Sequence, residues 1–273
     1  TADSGKLGET VVVEPGGNRT GKCIEIMEKA QFWRVETGRI QMEIPKSGDA
    51  ILRHLTVDGV IRADHASPVL ILEQRTKTED GAVRRQREYT GRVETVTVEE
   101  QGPIYCVIKV EGIHENSSTG EKKMPFIIRM AVGADSDEIH FTHTFLYDGN
   151  PECDFLKGLG IRFYCPMDGP LYNRHVKFGV DHGMFHEAMN LLLTWHPRIP
   201  QEIYQAQMNG EKLELAEESD GEVIQACREM PTWSHYTLVQ DSASHFSIGK
   251  KVDQEGCCML DALHGYRAPG YGA

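Results

Sequence analysis

No apolar run in this sequence approaches the roughly 18 residues that a membrane-crossing helix needs, and no membrane partner is expected. Basic residues are short: 29 Lys and Arg stand against 41 Asp and Glu, a formal net charge of −12. A nucleic-acid partner requires the opposite footprint, so that class is set aside. No GxSxG elbow, phosphate loop, dinucleotide fingerprint or EF-hand loop occurs. The seven cysteines, Cys23, Cys106, Cys153, Cys165, Cys227, Cys257 and Cys258, contain no CxxC pair, and their spacing is wrong for a zinc module. An odd count forbids complete pairing within the chain. Helix signals are scarce, and neither an internal repeat nor a low-complexity segment stands out. The chain starts at Thr1 without a charged-then-apolar leader, which fits a removed leader or an excised segment.

What is present is period two. Hydrophobic content of 40% and charged content of 26% are ordinary for a globular chain. Short β-rich runs such as "RVETGRIQMEIP", "VETVTVEE", "IYCVIKVEG", "PFIIRMAV", "EIHFTHTFLY", "HYTLVQD" and "HFSIGKK" are bounded by Gly, Pro, Asn or Asp. Their turn signals recur about every ten residues, as in sandwiches and barrels. Along "EIHFTHTFLY", Ile139, Phe141, His143 and Phe145 share one face. The pattern predicts an all-β chain. The best helix candidate is "HEAMNLLLTW", whose nearly continuous apolar run also suits a buried strand. A charged, Gly-containing stretch, "RTKTEDGAVRRQREYTGR", suggests a domain boundary near residue 85. Between Gln201 and Met230, eight carboxylates face two cations, a local charge of −6, read as a solvated loop or hairpin tip.

Several clusters carry candidate chemistry. "DHGMFHEA" sets His182 and His186 four apart beside Glu187; metal binding, substrate contact and ordinary packing all stay open. "NRHVKF" supplies Arg174, His175 and Lys177; in a strand, His175 and Lys177 point one way and Arg174 the other. Arg and Lys in a cleft hold carboxylates, and exposed strand charges are the plainer account. "WSHYTLVQDSASHFSIGKK" is dense in polar aromatics (Trp233, His235, Tyr236, His245 and Phe246) that would stack on sugar faces or pack a core. "ALHGYRAPGYGA" brings a proton carrier (His264), a phenol (Tyr266) and a permanent cation (Arg267) onto a Gly-rich backbone. Asn18 and Asn116 each open a glycosylation acceptor triplet among turn residues. Cys153 with Cys165, or either with Cys227, would suit a disulfide; buried free thiols are the alternative.

Taken in order along the chain, these segments resemble one family. "RVETGRIQMEIPKSGDAILRHLTVDG" is similar to the N-terminal β-barrel of the rhamnogalacturonan exolyase-like proteins, polysaccharide lyase family 26. "YTLVQDSASHFSIGKK" and "ALHGYRAPG" resemble the same family's central β-sandwich. The resemblance implies a small N-terminal β-barrel over residues 1–85 and a larger antiparallel β-sandwich over 86–273. In that family an α/α toroid follows, and the absence of long helical repeats here suggests a chain that stops before it.

The resemblance further implies a secreted protein acting on an acidic polysaccharide, the rhamnogalacturonan backbone of pectin, by β-elimination at galacturonate. The proton beside a carboxylate is hard to remove until that carboxylate is neutralised. A base then takes the proton, and an acid protonates the leaving oxygen. By residue type, Arg267 is the candidate neutraliser, with His264 and Tyr266 as proton carriers. Arg174, His175, Lys177, His245, Lys250 and Lys251 are candidates for holding substrate. No cofactor or metal site is expected, although a divalent cation such as calcium could share the neutralising role. The alternative is a non-catalytic carbohydrate-binding or surface-assembly β-sandwich. A metal hydrolase built on His182 and His186 is a third reading. Oligomeric state stays open.

Overall fold

The computed structural model describes residues 23–79, 81–180, 183–190, 199–229, 233–242, 245–252 and 255–263. Its chain divides into two compact units between Pro166 and Met167. Among the described residues the protein is all-β apart from two short helices and one 3-10 turn.

The first unit is one antiparallel sheet. Its strands are β1 (Glu25–Glu28), β2 (Phe32–Glu36), β3 (Ile40–Pro45), β4 (Leu52–Val57), β5 (Val60–Thr78), β6 (Gly81–Gln101), β7 (Tyr105–Glu115), β8 (Lys122–Gly133) and β9 (Ile139–Phe145). They pair in sequence order, and β10 (Asp154–Tyr164) pairs with β5. Alternation does the sorting. On β8, Met124, Phe126, Ile128, Met130 and Val132 are buried, with each intervening residue partly exposed. Side chains from β2–β4 (Val35, Ile40, Met42, Ile44, Leu52) form one cluster with Ile108, Val110, Ile128 and Met130 of β7 and β8. These strands are not ladder neighbours, so the sheet folds back and its two halves enclose the core as a sandwich. Each fully buried aliphatic contributes about 1.5–3 kcal/mol.

Bulges make the fold-back. The β6–β7 register shifts between Val93 and Thr95 and again between Val98 and Glu100. Opposite the first shift lies Gly112, where a Cβ would collide with the carbonyl of Arg92, so no larger residue fits. Arg39 then ties three turns together, bonding Asp58 at 2.7 Å and Asp137 at 2.9 Å.

Residues 34–59, which the family resemblance assigns to a barrel, run as β2–β4 of this same sheet. The boundary expected near residue 85 falls inside β6, which pairs with β5 through Arg85↔Gln74. Its linker-like composition has a physical reason: the ends of these strands stand clear of the core and expose both faces.

The second unit holds a ribbon of β11 (His175–Val180) and β12 (Gly183–Ala188), and a sheet of β13 (Trp233–Ser242), β14 (His245–Val252) and β15 (Glu255–Leu263). Between them in sequence come α1 (Gln201–Asn209) and α2 (Glu217–Glu229). The acidic stretch is therefore helical rather than a loop. Val223, Ala226 and Cys227 recur on one side of α2 and bury against Ile199 and Leu213, leaving the carboxylates to water. The helix candidate "HEAMNLLLTW" begins instead as strand, with His186–Ala188 in β12, and its residues 191–195 lie outside the described residues.

Cys106, Cys153, Cys165 and Cys227 carry no disulfide, so the bridges considered among Cys153, Cys165 and Cys227 do not form. Burial pushes the Cys106 thiol up to about 11. Among the described residues, no helix is long and apolar enough to cross a membrane.

Candidate functional site

The β11–β12 ribbon presents two different faces. Its register sets Val176 opposite Glu187 and Phe178 opposite Phe185, so these four share one face. His175, Lys177, His186 and Ala188 share the other. The first face is apolar around a buried ion pair. Lys250 of β14 reaches both Glu187 carboxylate oxygens, at 2.6 and 2.9 Å, and the two side chains are 8% and 1% exposed. This bidentate contact joins ribbon and sheet.

The second face carries the imidazoles, beside the end of α1. His175 Nδ1 and His186 Nε2 lie 2.7 Å apart, which requires one proton between them. His186 also bonds the Met208 backbone, an interaction that favours its protonated form and so donates to the carbonyl. His186 therefore spends its proton there, and His175 Nδ1–H donates to His186 Nε2. That leaves His175 Nε2 as a bare lone pair, buried and without a partner among the described residues. Asn190, 1% exposed, likewise has an unpartnered side-chain amide, although its carbonyl accepts from Gln207.

Gly210 closes α1 with φ +77°, and a Cβ there would press within 2.9 Å of the His186 ring. Glycine thus serves both the left-handed cap and the imidazole. Desolvation, first, and then the positive charges of His186 and Lys177 hold the His175 imidazole below its ordinary pKa. Desolvation and Lys177 do the same for His186, against the Met208 bond. Both rings are proton acceptors at neutral pH, and the exposed Lys177 beside them is a cation for a carboxylate.

The other expected residues disperse. Arg174 donates from Nε and Nη2 to the Gly169 carbonyl, at 3.1 and 3.0 Å, outside the imidazole face. Lys250 is spent on Glu187, and Lys251 is exposed on the opposite face of β14, across from His235. His245 starts β14 opposite Ser242. Glu187 points away from His186, so the two do not converge on a common ion, and no group of three or more potential metal ligands exists among the described residues. Asn116 bonds the Glu88 carbonyl through its amide nitrogen at 2.9 Å. Asn18, His182, His264, Tyr266 and Arg267 lie outside the described residues. Sequence reading missed the His175–His186 contact and the Glu187–Lys250 pair. The one local signal for the latter was a carboxylate alternating with apolar residues in "MFHEAM".

The all-β chain, with its folded-sheet sandwich and imidazole-lined ribbon, defines a fold class, and similarity names the family. Residues 24–273 match the family described as PcRGLX-like protein central beta sandwich domain, and the chain belongs to it. This is a rhamnogalacturonan lyase-like family. The chain is also similar to "Uncharacterized protein YetA" of Bacillus subtilis (strain 168), 32% identical over 251 residues. That alignment covers 91% of this chain and 29% of YetA, so the chain spans less than a third of that relative's length.

Proposed function

We propose that this chain is the β-sandwich portion of a secreted polysaccharide lyase of family 26, acting on the rhamnogalacturonan backbone of pectin. The observation that carries the reading is the match of residues 24–273 to the central sandwich of a rhamnogalacturonan lyase-like family. The geometry of the ribbon is compatible with it. Lys177, exposed on the imidazole face, supplies a cation for the galacturonate carboxylate. Neutralising the carboxylate is what makes the neighbouring proton removable. Within this reading Arg267 completes the neutralisation, and His264 and Tyr266 carry protons; Arg174, His245 and Lys251 stand apart from the ribbon's imidazole face and would touch substrate only at separate points.

The binding step is testable on this chain alone. Titration with rhamnogalacturonan oligosaccharides is expected to show binding that weakens about tenfold in Lys177→Ala, the effect of losing one charge-assisted bond at an exposed position. Oligosaccharides that bind both forms equally, or neither, would remove the ribbon from the substrate path. Binding without turnover in the longer protein would favour the alternative, a non-catalytic carbohydrate-binding sandwich.

A further inference from the structure

A second, separate surface in the first unit carries its own chemistry. Past Gln74 and Arg85, β10 no longer flanks β5, and the β5–β6 hairpin continues as a two-stranded ribbon to Thr78 and Gly81. One face of this hairpin collects cations. Arg75 and Lys77 come from β5, and Arg84 comes from β6, directly opposite Arg75. From β10, Phe155 pairs with Glu73 on the same face, and the Arg75 guanidinium lies over the Phe155 ring at 4.0 Å. Lys157, also on β10, is close enough to act electrostatically on Glu73, as is Arg84.

Among the described residues the carboxylates do not balance this set. Glu73 is engaged by Arg75 at 2.6 Å. Lys77, Arg84 and Lys157 are exposed and form no ion pair among the described residues. Glu79 lies in the hairpin turn, off the paired rungs. Two arginines face to face across a ladder repel one another, and a bound anion between them relieves that repulsion. Successive cations on one strand are spaced by two residues, about 7 Å, so the face offers a row of positive charge rather than a point.

We propose that this hairpin face is an accessory binding site for an anionic polysaccharide, one bearing carboxylate or sulfate groups along an extended chain. The face is elongated, running along the paired strands from Glu73 to Lys77, as an extended polymer requires. Its aromatic ring is covered by a guanidinium, so it offers no platform for stacking bases. The protein's net charge of −12 repels polyanions at long range, but screening beyond about 8 Å at physiological salt leaves the local cations in control. The site does not depend on the lyase reading, because it requires no turnover and no residue of the second unit.

The test is retention of the 273-residue chain on immobilised heparin and on immobilised polygalacturonate at low salt. The wild-type chain is expected to be retained and released by added salt. Lys77→Glu/Arg84→Glu/Lys157→Glu is expected to pass through both columns. An equal charge change elsewhere, Arg62→Glu/Lys122→Glu/Lys212→Glu, is expected to leave more than half of the retention volume. Retention on polygalacturonate identifies a carboxylated ligand, and retention on heparin alone a sulfated one. Wild-type flow-through on both columns, or equal losses in the two triple variants, would overturn the proposal. All three substituted cations are exposed, so the circular dichroism and thermal midpoint of their variant serve as the folding control. The milder Lys77→Gln/Arg84→Gln/Lys157→Gln replaces it if either shifts.

Discussion

Lys250→Met is expected to destabilise the second unit by about 3–5 kcal/mol, because it strands the Glu187 carboxylate without a counter-charge. Glu187 is 1% exposed at its side chain, so water cannot take over the role of the ammonium. The partner change alone, Glu187→Leu, strands the ammonium and should cost a similar amount. Combining Lys250→Met with Glu187→Leu is expected to recover most of the loss, since well-packed apolar replacements remove the desolvation penalty of both charges together. Urea denaturation of the four proteins, followed by circular dichroism, measures all three costs and the coupling between them. Additive single-site costs would mean that the pair does not act as a unit. The expectation rests on the pair's geometry, two short contacts of 2.6 and 2.9 Å.

Acid is expected to destabilise both units well above the range where carboxylates titrate. His114 is fully buried, donates from Nδ1 to the Met124 carbonyl at 2.7 Å, and has no partner for its Nε2 among the described residues. Burial lowers its pKa and that of His143, as it does for His175 and His186. An unfolded imidazole titrates near 6.5. Below that pH the unfolded chain binds protons that the folded chain refuses, so stability rises with pH across this window and is fully present above it. As pH falls from about 7, each imidazole removes at most about 1.4 kcal/mol per pH unit until its folded pKa is reached. The half-exposed His175 and His186 contribute less than this because solvent screens them. Thermal midpoints between about pH 5 and 8 should therefore slope downward into acid, and His114→Asn should flatten the slope of the first unit. That substitution keeps a side-chain donor without a titrating ring. An unchanged slope would show that His114 takes up its proton without unfolding.

The strands were legible because their period of two survives in a single sequence. On β8 every second residue from Met124 to Val132 is buried, and the same alternation made "PFIIRMAV" readable as a half-buried strand. The β5–β6 hairpin was not legible. Strands solvated on both faces lack alternation and look like linkers, which is why "RTKTEDGAVRRQREYTGR" suggested a boundary. The acidic stretch hid two helices for a related reason: its charge drew attention from the spacing of Val223, Ala226 and Cys227.

The candidate site was half legible. Strand parity alone puts His175 and Lys177 on one face. Their meeting with His186 depends on the register that pairs Lys177 with His186, a one-residue change of which would separate them. The partner of Glu187 lies 63 residues away on another sheet, and no local pattern could have announced it.

The measurement that bears most directly on the account is turnover of rhamnogalacturonan, read as ultraviolet absorbance of the unsaturated uronate that β-elimination produces. The longer protein, of which we propose this chain is the central part, is expected to generate that absorbance and to lose it on Arg267→Ala, while the 273-residue chain alone generates none. No unsaturated product from the longer protein would contradict the lyase account and leave a carbohydrate-binding sandwich in its place.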